Sequence, residues 1–201
     1  TSLKILPLRA MNHARCAILG MHPLFGPSAS QKRGLKIVFC HQKDNGYVSF
    51  LEKLFISEGI EIITMTPEEH DQQIAYIQAL THALNLLYGK VLMKKGNIVN
   101  PTLQTPLFTL QSLVMGRVLH QDMILMRDIE LFNPYFHKVL QELLAASTEL
   151  EKIVKDKKLD AFISLFVDEK QAAVEFSEYA LHKTDRLLAN ISDVKPAVTN
   201  V

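Results

Sequence analysis

The pattern of the sequence changes at Thr66, and this change constrains the fold more than any other feature. Before Thr66, short apolar runs that suit β-strands alternate with segments in which apolar residues recur at helical spacing. After it, only helical patterns occur. Strands separated by helices are typical of an α/β sheet, so the sequence predicts the closing part of a sheet domain over residues 1–66 and an all-helical domain over residues 67–201. The expected strands cover residues 16–21, 35–40 and 60–63, and the expected helices before Thr66 cover residues 3–14 and 47–57.

The first long helix has a clear start signal. Thr66 suits the N-cap, Pro67 suits the first helical position, and Glu69 completes a capping box with Thr66. We expect this helix to run to about Lys94, with an apolar stripe along it. The stripe consists of Ile77, Leu80, Leu84, Leu87 and Val91. Further helices are expected over residues 106–120, 123–155 (as one helix or two) and 159–188.

Composition limits the classes of partner. Of the 201 residues, 48% are apolar, and long apolar helices of this kind often bury a face against a second copy. We therefore expect a homodimer through the helical domain. The net charge of +1 provides no electrostatic footprint for nucleic acid, and no apolar run reaches the roughly 20 residues of a membrane span. Cys16 and Cys40 lack a CxxC spacing and fit a reducing compartment, so we expect a cytoplasmic protein.

The start of the chain is unusual for a complete domain. Residues 1–4 (TSLK) begin without a methionine and read as a junction between a strand and a helix, with no strand before it. The pattern predicts a fragment whose upstream part is missing.

His22 is the first candidate for chemistry. It follows the strand predicted over residues 16–21 and opens a loop rich in proline and glycine. Ligands of open α/β sheets bind at the carboxyl ends of strands, and an imidazole that titrates near neutrality can exchange a proton with a substrate hydroxyl. The alternative is a histidine that only caps its own loop.

A polar stripe on the first long helix holds the second candidate. Gln78, His82 and Asn85 share one face at i, i+4 and i+7 spacing, apart from the apolar stripe. Polar side chains on a largely apolar helix need a partner. The stripe therefore belongs either to a binding site or to a hydrogen-bond network between helices.

Charged residues on the helices provide a third candidate. Arg117 has no acidic residue three or four positions away, and an unpaired guanidinium suits a planar anion such as a carboxylate. A surface arginine that snorkels is the alternative. We interpret the pair His70 and Asp71 as first-turn charge that complements the helix dipole. No second cluster of histidines or carboxylates lies at ligand spacing, so we expect no metal site.

Taken together, these segments resemble the prephenate dehydrogenase family. The resemblance covers essentially the whole chain, and residues 1–4 also resemble a serine-containing junction that precedes the family's histidine loop. The matching segments are residues 20–27 (GMHPLFGP), residues 69–71 (EHD) with His82 twelve positions after His70, and residues 115–117 (MGR) followed by residues 121–122 (QD).

The resemblance implies a fold and an activity. Family members have an N-terminal Rossmann-type domain and a C-terminal helical domain that forms the dimer. They oxidatively decarboxylate prephenate to 4-hydroxyphenylpyruvate with NAD or NADP, a step towards tyrosine. On this basis we expect the chain to be an α/β remnant of a Rossmann-type domain followed by an all-α dimerisation domain.

The resemblance also assigns site residues. It implies that His22 accepts the proton of the ring hydroxyl and that Ser2, near the hydroxyl and the nicotinamide, is a second catalytic residue. It implies that Arg117 and His82 bind the substrate, and we expect Gln78, which shares the face of His82, to bind it as well. Ser2 and Pro23 are the expected contacts of the cofactor.

Some features depart from the family pattern or leave the function open. The glycine fingerprint for the pyrophosphate is absent, so we expect this chain alone to be weakly active or inactive. Thr109 stands where some members carry a second arginine. The alternative functions are an arogenate or cyclohexadienyl dehydrogenase, another dehydrogenase with a helical second domain, and, if the chain is natively this short, a non-catalytic helical dimerisation module.

Overall fold

A computed structural model describes residues 3–26, 29, 33–41, 46–94 and 103–189. The chain forms two compact units: the first combines Thr1–His82 with Asp122–Val139, and the second combines Ala83–Gln121 with Leu140–Val201. These units are defined by packing, and the domain boundary predicted between residues 66 and 67 stays a prediction. Within the described ranges, no helix is long and apolar enough to cross a membrane.

The first unit contains a three-stranded sheet. The strand order is β1-β2-β3, in which β2 pairs with β3 in parallel and β1 runs antiparallel to β2. The predicted alternation of helices and strands is thereby confirmed. The elements in chain order are α1 (Ile5–Ala10), β1 (Leu19–Pro23), β2 (Lys36–His41), α2 (Tyr47–Ser57) and β3 (Glu61–Thr64).

The position of β1 differs from the prediction. The sequence predicts a strand over residues 16–21 with His22 in the loop beyond it, whereas His22 lies inside the strand, opposite Val38 of β2. Pairing with β2 sets the limits of β1, and local apolar character does not reveal that pairing. Because β1 is antiparallel, its end lies beside the beginning of β2. The carboxyl-end argument for His22 therefore does not hold.

Helices cover both faces of the sheet. On one face, Phe39 of β2 packs in a cluster with Val48 of α2. On the other face, Cys40 of β2 packs with Leu8 of α1. Successive residues of a strand point to opposite faces, and a strand covered on both sides needs apolar residues throughout. This explains the continuous apolar run that predicted β2.

Gly20 brings α1 close to β1. A Cβ atom at Gly20 would lie 2.8 Å from Cδ of Lys4, which precedes α1. The absence of a side chain at this position therefore leaves room for the buried stem of Lys4. His22, two residues further along β1, faces the same side of the sheet.

The long helix begins as predicted. The Thr66 hydroxyl accepts a hydrogen bond from the amide of Glu69 at 3.1 Å, and the Glu69 carboxylate accepts one from the amide of Thr66 at 2.8 Å, which confirms the capping box. The helix comprises α3 (Pro67–Ile74), a π-helical segment (Ala75–Leu80) and α4 (Thr81–Lys94). The predicted helix has regular α-helical spacing throughout, so the π-helical segment differs from the prediction.

The apolar stripe of this helix is largely exposed in the single chain. Ile77 and Val91 are 62% and 63% exposed, and only Leu80 among the five stripe residues is partly buried. The buried positions include Ala75, Ala79 and Ala83. Small side chains allow close packing of a helix against its neighbours, which is why this face and not the stripe is covered.

The remaining elements are helices, and no strand follows Thr64 in the described part of the chain. The helix predicted over residues 159–188 is two helices that are interrupted at Ala173, where ψ is 17°. The segment predicted as one or two helices over residues 123–155 is two. The elements are α5 (Pro106–Leu119), α6 (Met123–Phe132), α7 (Phe136–Lys155), α8 (Leu159–Ala172) and α9 (Val174–Ala189).

Candidate active site

Three buried side chains of the first unit form a chain of hydrogen bonds. Nδ1 of His70 donates to Oδ1 of Asp71 at 2.7 Å, and Nε2 of His70 lies 2.9 Å from Nδ1 of His22. His22 is 8% exposed and Asp71 is fully buried. Strand β1 supplies His22 and the start of the long helix supplies the other two residues, so the packing of α3 on the sheet creates the arrangement.

Asp71 also binds the backbone at the start of α1. Its Oδ1 accepts a hydrogen bond from the amide of Lys4 at 2.8 Å, and its Oδ2 accepts one from the amide of Ile5 at 2.9 Å. The side chain of Asn133, at the end of α6, donates to the backbone carbonyl of Asp71 at 2.8 Å. A buried carboxylate needs such partners, and these contacts hold Asp71 in place.

The structure corrects the interpretation of His70 and Asp71 as first-turn charge. Both side chains are buried and point into the protein, away from the solvent. The capping box already places Glu68 and Glu69 in the first turn of α3. A further acid at position 71 is therefore not needed for the helix dipole, and this redundancy is the one local signal that could have identified the pair.

The surroundings of His22 favour its neutral form. Burial lowers the pKa of His22 to about 4, electrostatic interactions with Lys4 and His70 lower it further, and the interaction with Asp71 has a smaller opposing effect. Burial also lowers the pKa of Lys4, against the opposing effects of Cys40 and Asp71. His22 is therefore a neutral imidazole at neutral pH, able to accept a proton.

Gln78 and His82 lie on the same helix as His70. Nε2 of Gln78 is 3.5 Å from Nε2 of His22, the ring nitrogen that does not face His70. His82 is 5% exposed, and its Nδ1 has no hydrogen-bond partner in the described part of the chain. Burial lowers the pKa of His82. A buried ring nitrogen without a partner calls for a ligand or an ordered water.

The second unit contains two other predicted polar residues. Asn85 accepts a hydrogen bond from the side chain of Gln111 at 2.9 Å. For this residue of the polar stripe, the structure therefore shows the second alternative, a hydrogen bond between helices. Arg117 is exposed on α5, and no ion pair involves it among the residues that the structure describes. Thr109 donates to the carbonyl of Thr105 within α5 at 3.2 Å.

The two predicted cofactor contacts have different outcomes. Pro23 directly follows His22 in β1 and is exposed. Ser2 lies outside the described residues. Within those residues, no group of three or more His, Cys, Asp or Glu side chains is arranged to hold a metal ion.

Comparisons with known proteins identify relatives of the whole chain. The probable arogenate/prephenate dehydrogenase of Methanocaldococcus jannaschii is 29% identical over 192 residues, which cover 90% of this chain and 42% of that protein. The T-protein of Enterobacter agglomerans is 28% identical over 199 residues, which cover 97% of this chain and 53% of that protein. The chain thus spans about half the length of the curated relatives that it matches.

Solved structures share the fold. Prephenate dehydrogenase from Aquifex aeolicus matches with a TM-score of 0.67 at 19% identity, over 87% of this chain and 65% of that chain. Synechocystis arogenate dehydrogenase matches with a TM-score of 0.62 at 16% identity, over 88% of this chain and 67% of that chain. These matches confirm the predicted fold class, a remnant of a Rossmann-type domain followed by an all-α domain.

A family model places the chain among these proteins. The model for the prephenate dehydrogenase dimerization domain matches residues 66–168, about half of the chain. Its first residue is Thr66, where the sequence pattern changes and the capping box begins the long helix. The chain therefore belongs to the prephenate dehydrogenase family.

Proposed function

We propose that this chain is part of a dehydrogenase that converts prephenate to 4-hydroxyphenylpyruvate and carbon dioxide with NAD or NADP, on the route to tyrosine. The observation that carries the proposal is the neutral, buried His22, whose Nδ1 lies 2.9 Å from His70 and whose Nε2 lies 3.5 Å from Nε2 of Gln78. Such a nitrogen can accept a proton from a ring hydroxyl.

The reaction needs little more than proton transfer and orientation from the protein. As hydride leaves the ring carbon that carries the hydroxyl, the hydroxyl proton passes to Nε2 of His22. The bond to the ring carboxylate breaks and carbon dioxide leaves. The electron pair of that bond completes the aromatic ring and displaces the carbonyl pair onto the oxygen, which takes back the proton from His22. The nicotinamide supplies the hydride acceptor when it is bound.

Three residues are proposed to bind the substrate. Prephenate carries two carboxylates, and the exposed guanidinium of Arg117, which has no ion pair in the described part of the chain, suits one of them. His82 has a buried ring nitrogen without a partner there, and Gln78 has a buried Oε1 in the same condition. These atoms can form hydrogen bonds with a polar ligand.

The residues proposed for the cofactor are Ser2 and Pro23. Pro23 fits a nicotinamide ring because it is exposed, apolar and adjacent to His22. Further support comes from a structure of Aquifex aeolicus prephenate dehydrogenase in complex with hydroxyphenyl propionate and NAD+, which matches 79% of this chain with a TM-score of 0.62. The choice between NAD and NADP belongs to other parts of the nucleotide site.

The second candidate function is an arogenate or cyclohexadienyl dehydrogenase. It is favoured by the names of two similar proteins, the probable arogenate/prephenate dehydrogenase of Methanocaldococcus jannaschii and the arogenate dehydrogenase of Synechocystis. Arogenate differs from prephenate by an amino group in place of the side-chain carbonyl, so the same base can serve both substrates.

The test compares both substrates and both cofactors. With protein expressed from the start codon of the gene, the reduction of NAD and of NADP is followed spectroscopically, first with prephenate and then with arogenate. We expect faster reduction with prephenate. Faster reduction with arogenate would establish the second candidate, and no reduction with either substrate by a folded protein would refute both.

We also propose a homodimer through the helical domain. The support is the family model, which describes a dimerization domain, and the large apolar side chains exposed on α8 and α9. These include Phe162, Phe166, Phe176, Tyr179 and Leu181. A single chain rarely leaves so much apolar surface in contact with water.

A cytoplasmic location is part of the proposal. Cys16 and Cys40 are both free thiols. Free thiols are usual in a reducing compartment and rare in secreted proteins.

A further inference from the structure

We propose that His70 and Asp71 are positioning residues, which determine that His22 carries its proton on Nδ1 and keeps Nε2 unprotonated. The proposal extends the proposed function, because it rests on His22 as the proton acceptor. It assigns a role in the reaction to two buried residues that do not themselves touch the reacting atoms.

The direction of the hydrogen bonds follows from Asp71. An ionised carboxylate can only accept hydrogen bonds, so the contact of 2.7 Å requires a proton on Nδ1 of His70. The proposal takes His70 with this single ring proton, so that Nε2 of His70 is an acceptor. The contact of 2.9 Å with His22 then requires a proton on Nδ1 of His22. Nε2 of His22 is left without a proton.

The carboxylate that starts this chain is held from several sides. The amides of Lys4 and Ile5 donate to its two oxygens, and Asn133 binds its backbone carbonyl. Asp71 is fully buried, so water does not compete for these bonds. The start of α1 and the end of α6 thus fix the orientation of His70, and His70 fixes the tautomer of His22.

The same arrangement supports the charge that forms during the reaction. When Nε2 of His22 takes the proton of the substrate hydroxyl, the ring becomes a cation that keeps its proton on Nδ1. Asp71, one imidazole away, provides a compensating negative charge, whereas the nearby Lys4 opposes the cation. In serine proteases, an aspartate orients and stabilises a histidine base in a comparable way.

The variants are chosen to separate the tautomer from the fold. His70→Leu removes the acceptor that faces Nδ1 of His22, and the ring is then free to adopt the Nε2–H form that imidazole prefers in water. His70→Gln keeps a side-chain oxygen that can accept from Nδ1. The matched control is His137→Leu, which replaces an exposed histidine of α7. Circular dichroism checks that each variant is folded.

The first readout is the 15N NMR spectrum of the histidine rings, which distinguishes the two tautomers without any substrate. We expect the Nδ1–H form of His22 in the wild type, in His70→Gln and in His137→Leu, and mainly the Nε2–H form in His70→Leu. An Nε2–H form in the wild type, or the same form in wild type and His70→Leu, would overturn the proposal.

The second readout is the kinetics with prephenate and a nicotinamide cofactor. We expect kcat to fall about a hundredfold or more in His70→Leu, with a small change in KM and partial recovery in His70→Gln. An unchanged kcat in a folded His70→Leu would contradict the positioning role. The expected tautomers without dehydrogenase activity in the wild type would instead refute the proposed function and leave the hydrogen-bond assignment standing.

Discussion

His22 illustrates how much of its chemistry comes from residues that are distant in the chain. The segment rich in proline and glycine that follows His22 is visible in the sequence, and it identifies His22 as a candidate. The bond to His70 joins positions 48 residues apart, and it exists only because β1 pairs with β2 and α3 packs on the sheet. The redundant acid at position 71 marks the pair in the sequence, but the role proposed for His70 and Asp71 depends on these long-range contacts and is not visible in any local pattern.

The lowered pKa of His22 predicts a pH dependence of stability. Its pKa falls from 6.5 to about 4 in the folded protein, so the unfolded chain binds more protons between these values. The titration of this group should therefore cost no free energy of unfolding above pH 6.5. Below pH 6.5 the free energy of unfolding should decline as the pH falls towards 4. The loss from this group is about 3 kcal/mol.

Urea denaturation at a series of pH values between 7 and 4 measures this decline. The matched variant is His22→Asn, which removes the titrating ring. It should show a shallower decline, with a remaining part from His82, whose pKa is also lowered. Equal slopes for the wild type and His22→Asn would show that the burial of His22 does not affect its titration.

At the scale of elements, the long helix shows what local sequence can and cannot reveal. Its start at Thr66 was predicted because a capping box is a contact between residues three positions apart. The π-helical segment Ala75–Leu80 was missed because its extra residue leaves no mark in composition. In a regular helix, His70 and His82 would lie about 120° apart around the axis, and one extra residue reduces this to about 20°.

The π-helical segment predicts tolerance to the loss of one residue. Deletion of the exposed Ile77 should convert the segment to a regular helix while His70 and His82 keep their faces. We expect a change in Tm of no more than about 2–4 °C, and a pKa of His82, followed by NMR, that stays lowered.

A deletion in the regular part of the helix is the matched control. Deletion of the exposed Leu86 would place Lys90 at the position of Gly89, where a Cβ atom would lie 3.1 Å from Sδ of Met115. The control should lose much more stability than the Ile77 variant. Similar losses of stability in the two variants, or exposure of His82 in the Ile77 variant, would contradict the claim that the extra residue of the π-helical segment brings His70 and His82 to the same face.

At the scale of the whole molecule, the predicted order of a sheet part and a helical part is correct. Periodicity reveals it because the apolar spacing differs between strands and helices. The division into packed units is not visible in the sequence pattern, since Asp122–Val139 belongs to the same unit as the sheet although it lies in the helical part of the sequence. The exposed apolar side chains of the long helix, like those of α8 and α9, support the proposed homodimer.

Light scattering tests the homodimer. At micromolar concentration we expect about twice the chain mass of 22.7 kDa. Phe166→Glu and Phe176→Glu, at two exposed positions of α8 and α9, should shift the mass towards the monomer. An exposed polar position, as in Lys170→Glu, serves as the control. A monomeric mass for the wild type would remove the proposal.

The most direct measurement of the central claim is the steady-state kinetics of two variants with prephenate and its cofactor, in protein expressed from the gene's start codon. If His22 is the proton acceptor and Arg117 holds a carboxylate, His22→Asn should lower kcat about a hundredfold or more with little change in KM. Arg117→Ala should raise KM about tenfold or more. Unchanged kinetics in both variants would contradict the account.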